Sequence, residues 1–229
     1  MRTKQLLVAA MMLMVCVNVN AQKEKKFNRH LIIGVSPFNT FKSNLEFEDY
    51  KDFNVNYRYK SGWNISLGYE RQAWIILLAV EGSYGQTKFD KIEINNLPEG
   101  ISFNPPTIND NIQQANINAM IGFDFVTLFY NSFQLEKEKE AKLGRFQLPI
   151  YIGLGYSYTD GGFFNHHSSY NFNSKIRAKY YFTNTVAAFV GWNLVQPFMA
   201  NDKITLSEPK IKSNNHVSRY VNMGVIINL

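Results

Sequence analysis

The stretch Arg145–Tyr158 constrains this chain more than any other. Phe146, Leu148, Ile150, Ile152, Leu154, Tyr156 and Tyr158 share one parity, while Gln147, Pro149, Tyr151, Gly153, Gly155 and Ser157 share the other. Strand side chains point alternately to opposite faces, so the segment has one unbroken apolar face and one small or polar face. A strand that crosses a bilayer needs about 9–11 residues, apolar toward lipid and polar toward the interior, with aromatics where it meets the interfaces. Arg145–Tyr158 reads as such a strand.

The start of the chain fits that setting. Residues 1–21 read as a secretory signal peptide: Arg2 and Lys4 are basic, Leu6–Val17 is apolar, and Val19-Asn20-Ala21 supplies a cleavage site. The mature chain is then expected to be 22–229. Cys16 is the single cysteine and falls in the removed segment, which excludes disulfides and thiol catalysis. No later apolar run approaches the ~20 residues of a spanning helix. Aromatics at 15% against 18% charged residues argue for a folded chain rather than a disordered one. The net charge of +6 is scattered, so no basic stripe points to nucleic acid.

Parity counting gives eight strand candidates. The first, Leu31–Asn39, has no clear facing. The second runs unbroken from Phe53 through Val55, Tyr57, Tyr59, Trp63, Ile65 and Leu67 to Tyr69 on one parity. At about 3.3 Å per residue it exceeds what a tilted membrane strand requires, so part of it is expected to project beyond the bilayer and offer an edge. The others are Ile75–Gln86, Ile112–Val126, Arg145–Tyr158, Phe172–Phe182, Val186–Leu194 and Val217–Leu229. Their connections alternate in length. Thr40–Asp52, Thr87–Asn111, Thr159–Asn171 and Val195–His216 are long, whereas Arg71–Trp74 and Thr183–Thr185 are short. Short periplasmic turns and longer outer loops produce that alternation. Thr127–Gly144 breaks it with a charged run, Glu136-Lys137-Glu138-Lys139-Glu140, that reads as a solvated periplasmic segment.

With these segments in view the chain resembles the small single-domain outer-membrane β-barrel proteins of Gram-negative bacteria, often labelled porin-like. The resemblance spans the signal peptide and nearly all of the mature chain. It implies an all-β, eight-stranded antiparallel transmembrane barrel in the cell outer membrane, with a final Leu229 in place of the terminal Phe of many relatives.

Candidate sites are few. Glu81, Asp124, Lys175, Arg177 and Lys179 fall on the inward parity of their strands, in a lumen that side chains of this size can fill. Charges so enclosed must pair, and the depths along the strands predict Glu81 with Arg177 and Asp124 with Lys179. Tyr158, Phe163, Phe164, His166, His167 and Tyr170 fall in or beside an expected outer loop, the usual place for binding. His166, His167 and His216 lack a cysteine or nearby carboxylate to complete a metal set, so neither metal nor cofactor is expected. His166-His167-Ser168 is similar to the His-x-Ser pairing of lipid A deacylating barrels, but strand six and the loop after Asp160 hold no acid to orient the histidine. The reading is a monomeric, non-enzymatic barrel with a plugged lumen and a structural or surface-interaction role. Its partners are outer-membrane lipid and lipopolysaccharide and an unidentified protein or surface ligand at the outer loops. A small porin or transporter for small solutes is the alternative, and a lipid-modifying enzyme the third reading.

Overall fold

The computed structural model describes residues 28–48, 50, 52–73, 75–99, 111–127, 145–161, 164–200 and 211–229. Residues 1–21, expected to be a signal peptide, Phe163 and residues 128–144 of the charged segment lie outside them. Eight strands follow one another: β1 Asn28–Phe47, β2 Asn54–Ala73, β3 Ile76–Asn95, β4 Asn111–Asp124, β5 Pro149–Gly161, β6 Phe164–Tyr181, β7 Val186–Ala200 and β8 Ile211–Asn228. Phe146–Gln147 is a detached first piece of β5, separated by Leu148. Each strand pairs antiparallel with the next, and β1 pairs with β8, so the sheet closes. Closure leaves no edge within the bilayer, which a sheet in hydrocarbon requires. The expected fold class is the observed one.

Outward positions form a continuous apolar band: Val35, Leu67, Val80, Ile117, Leu154, Ile176, Val190 and Val225 are all exposed. Trp63, Tyr84, Tyr156 and Tyr170 border it on one side, and Tyr69, Phe123, Tyr180 and Phe182 on the other. This is the surface that meets outer-membrane lipid, and the chain is an outer-membrane protein. The start of β1 and the end of β8 share one rim, where Leu229 N donates to Arg29 O at 2.8 Å. The tight turns lie at that rim too. In the second, Thr183 Oγ1 accepts from the Thr185 and Val186 amides at 3.2 and 3.0 Å. In such barrels the short turns belong to the periplasmic end.

The opposite end departs from the expected pattern. Much of what reads as outer loop is strand. Thr40–Phe47 continues β1, Thr87–Asn95 continues β3, and all but two residues of Thr159–Asn171 belong to β5 and β6. β1, β2 and β3 have 20 residues each, which at ~3.3 Å per residue gives ~66 Å of strand, well beyond what a bilayer takes up. β1–β3 and the upper part of β8 therefore rise together above the membrane. The second strand does not keep one register. Tyr57 and Tyr59 point inward, whereas Trp63, Ile65, Leu67 and Tyr69 of the same parity point to lipid. The inversion occurs at bulges between Arg58 and Tyr59 and between Lys60 and Trp63. Ser61 there has φ of 55°. A Cβ on Gly62 would lie 2.3 Å from both Gln86 O and Thr87 Cγ2, so only glycine fits. β1 inverts at the same level, from Val35 outward to Phe41 inward, through shifts between Ser36 and Phe41.

Above these bulges the apolar residues turn inward and build a core for the projecting part. Phe41, Leu45, Phe47, Phe53, Val55, Tyr57, Tyr59 and Ile112 are each no more than 2% exposed. Phe47 and Phe53 stack with centroids 4.7 Å apart, and Tyr59 meets Phe41 and Phe89 edge-on at 5.6 Å.

Candidate functional site

The lumen is layered, and the layering follows from strand parity. The lower layer is charged. Glu70 on β2 and Glu81 on β3 lie on the lumen-facing parities of their strands, and Lys175, Arg177 and Lys179 do so on β6 across the ring. All five side chains are almost completely buried. Lys175 Nζ donates to Glu81 Oε1 at 2.5 Å, and Arg177 Nη2 donates to Glu81 Oε2 at 2.6 Å. Glu70 holds the other half: Lys179 Nζ and Tyr151 OH donate to its two oxygens, and His30 Nδ1 lies 2.7 Å from Oε1. Arg177 Nη1, 3.9 Å from Glu70, links the two halves. Its guanidinium also lies over the Phe189 ring at 4.6 Å and the Tyr151 ring at 5.5 Å.

Space for Tyr151 depends on Gly122, where a Cβ would come within 2.4 Å of the Tyr151 ring. Apolar packing flanks the ions: Ile32, Ala187, Phe189 and Ile226 on one side, Leu77, Ala79 and Met120 on the other. In so dry a setting each charge must meet a partner, and the charge-assisted bonds supply one.

Asp124 does something else. It was expected to meet Lys179, but its carboxylate accepts from Val126 N and Leu148 N at 3.2 Å and from Thr127 Oγ1 at 2.5 Å. It stands at the end of β4, where residues 125–127 form a helical turn, and capping that turn outcompetes a cation deeper in the lumen. Lys179 takes Glu70 instead.

A neutral layer lies above. Asn171 Nδ2 donates to Ser157 Oγ at 2.5 Å, which donates to Asn116 Oδ1 at 2.6 Å. Asn193 Nδ2 donates to Asn222 Oδ1 at 2.9 Å. At the top of the lumen the His167 and His216 rings meet edge-on at 5.1 Å, and Phe41 lies 5.6 Å from His216. His216 stands in the projecting part, where burial, then the neighbouring His167, pushes its pKa down to about 3. Burial raises the Tyr57 phenol to about 12.

The expected loop residues are placed differently. Tyr158 is on β5 and Tyr170 on β6, both outward at the aromatic border, with Tyr170 against Tyr156 at 5.7 Å. They are interfacial wall residues and not loop contacts. His167 is on β6 and points into the lumen, whereas Ser168 has the opposite facing and shares its parity with His166. Phe164 and His166 belong to the β6 backbone, and their side chains, like Phe163, lie outside the described part. Among the described residues no three His, Cys, Asp or Glu side chains converge as a metal site would need. Sequence reasoning missed Tyr151 and His30 as partners of Glu70. Tyr151 carried a signal, as the one aromatic residue on the small-residue face of its strand.

No family model and no curated protein matches the sequence. Among solved structures the chain is similar to Neisserial surface protein A, with 12% identity, a TM-score of 0.49, and coverage of 87% of this chain and 97% of that one. It is similar to the outer-membrane protease OmpT of Escherichia coli, with 8% identity, a TM-score of 0.40 and coverage of 90% and 99%. It is similar to Ail, the attachment invasion locus protein of Yersinia pestis, with 11% identity, a TM-score of 0.37 and coverage of 86% and 98%. The expectation of a non-enzymatic barrel is corrected here. A protease stands among the proteins of similar fold, so this architecture leaves catalytic status open.

Proposed function

We propose that this outer-membrane barrel is closed to ions and solutes along its axis and acts through the part that rises above the membrane. The observation that carries the reading is the ion network of Glu70, Glu81, Lys175, Arg177 and Lys179 spanning the lumen from β2 and β3 to β6. A ring of eight strands leaves an interior just wide enough for side chains to fill. Here charged and apolar groups fill it at one level, and the aromatic core closes over the mouth. A permeant ion would have to break several charge-assisted bonds in a nearly water-free layer.

Function then lies with the raised sheet of β1, β2, β3 and β8. β3 is the part most suited to a protein partner. Its pairing with β4 ends at Lys88–Asn111, so Phe89–Asn95 is paired through only one side among the described residues. An open strand edge can accept a strand from another chain. Planar-bilayer recording tests the closed lumen directly. The native protein is expected to show no steady conductance, and a large reproducible channel would overturn the reading in favour of a porin.

A further inference from the structure

We propose that the outer wall of β8, β1, β2 and β3, directly above the aromatic border, binds the phosphate groups of outer-leaflet glycolipid. Phe38, Trp63 and Tyr84 mark the upper limit of the apolar band on these strands, exposed by 66%, 45% and 42%. Immediately above them the same outward face changes character. Lys60 is paired directly with Lys88, and the next row up places Lys42 beside Arg58 and Arg58 beside Lys91. Arg219 on β8 continues the band at the level of Thr40. Trp63 pairs with Gln86, so the Lys60–Lys88 row begins two residues above it on β3, about 7 Å at the strand rise. That is where headgroups lie when the border aromatics sit at the interface.

Like charges facing each other on neighbouring strands repel, and this face stacks two such rows. Acids answer only part of it. Asp90 takes Lys60 at 2.9 Å, and Glu93 takes Arg58 and Lys91 at 2.7 Å each. Among the described residues, Lys42, Lys88 and Arg219 have no carboxylate within ion-pair distance. Adjacent strands are ~4.8 Å apart, so one phosphate can be shared by cations on two of them, and an arginine can offer it a bidentate contact. A phosphate there relieves the repulsion and adds favourable pairs. The anion belongs to a lipid because the band is continuous with the surface already in lipid and at headgroup height. The inference is independent of whether the lumen is closed.

The test uses the full mature chain refolded into phosphatidylcholine vesicles with bis-phosphorylated lipid A, with dephosphorylated lipid A, or with neither. The unfolding midpoint is read by the heat-dependent gel shift. Lipid A is expected to raise the midpoint and the dephosphorylated form to leave it unchanged. Lys42→Gln/Lys88→Gln/Arg219→Gln should weaken the apparent lipid A affinity about a hundredfold, given the contribution of each cation at a membrane surface. In plain phosphatidylcholine that variant should be as stable as the native chain or more so, which separates lost binding from lost folding. Equal midpoints with both lipid A forms, or a variant that responds like the native chain, would overturn the proposal. So would inorganic phosphate that reproduces the shift in full, since it would assign the site to a soluble anion.

Discussion

Replacing Glu81 by Gln should be among the most damaging single changes in this barrel. The carboxylate is 2% exposed and accepts from Lys175 at 2.5 Å and Arg177 at 2.6 Å. With it, the lumen holds two glutamates against three cations, and without it one glutamate faces all three. Stranding a buried charge by deleting its partner costs about 3–5 kcal/mol. The triple variant Glu81→Leu/Lys175→Met/Arg177→Met removes Glu81 and both its partners as a set and leaves Glu70 with Lys179, one charge of each sign. It should be far milder, because apolar groups of similar volume often replace a buried ion cluster at little cost. Urea unfolding from vesicles measures both, since Trp63 and Trp192 face lipid and their fluorescence reports loss of insertion. If the single variant costs under about 1 kcal/mol, or the triple costs more than the single, the network is not the paired ionic plug described.

Asp124→Ala should cost about 1–2 kcal/mol by uncapping the turn at 125–127 and freeing the Leu148 amide, and should leave conductance unchanged; a new channel in that variant would instead tie Asp124 to the plug. Gly122→Ala should cost about 1–3 kcal/mol, because its Cβ invades the Tyr151 ring, and comparing urea midpoints would expose a silent change. His216 prefers its neutral form in the fold, so the unfolded chain takes up the extra proton below its pKa of about 6.5. Stability should be unaffected by this group above that pH and fall as pH drops toward 3, by about 2 kcal/mol between pH 7.5 and 5, a loss that His216→Phe should abolish in unfolding curves. For orientation, an impermeant maleimide on intact cells should label Lys91→Cys and miss Asn184→Cys; the reverse would invert the barrel.

The membrane wall was legible because hydrocarbon enforces strict alternation. Ile150, Ile152 and Leu154 face lipid as their parity requires, and β3 through β8 obey the same code within the bilayer. The projection of β2 was legible from its length, but the facing of its upper part was not, because a strand that leaves the membrane follows a different rule. Outside the membrane, polar residues face water on the outer surface and apolar ones pack inward. Tyr57 and Tyr59 therefore look, by parity, like a continuation of the lipid face below them. Ser61-Gly62 was the available clue, since a glycine inside a strand often marks a bulge. Ion partners were partly legible. Inward parity identifies the charges, and Arg177 does meet Glu81, but parity does not give depth, and depth assigned Lys179 to Glu70.

The bulges in β1 and β2 make the upper limit of the lipid-facing wall adjustable. Moving the Ser61-Gly62 kink two positions along β2 would convert one pair of residues from the aqueous code to the lipid code and shift that border by about 7 Å. A barrel of this kind can thus be refitted to a thicker or thinner bilayer by relocating one backbone irregularity, with the lumen below and the raised sheet above left intact.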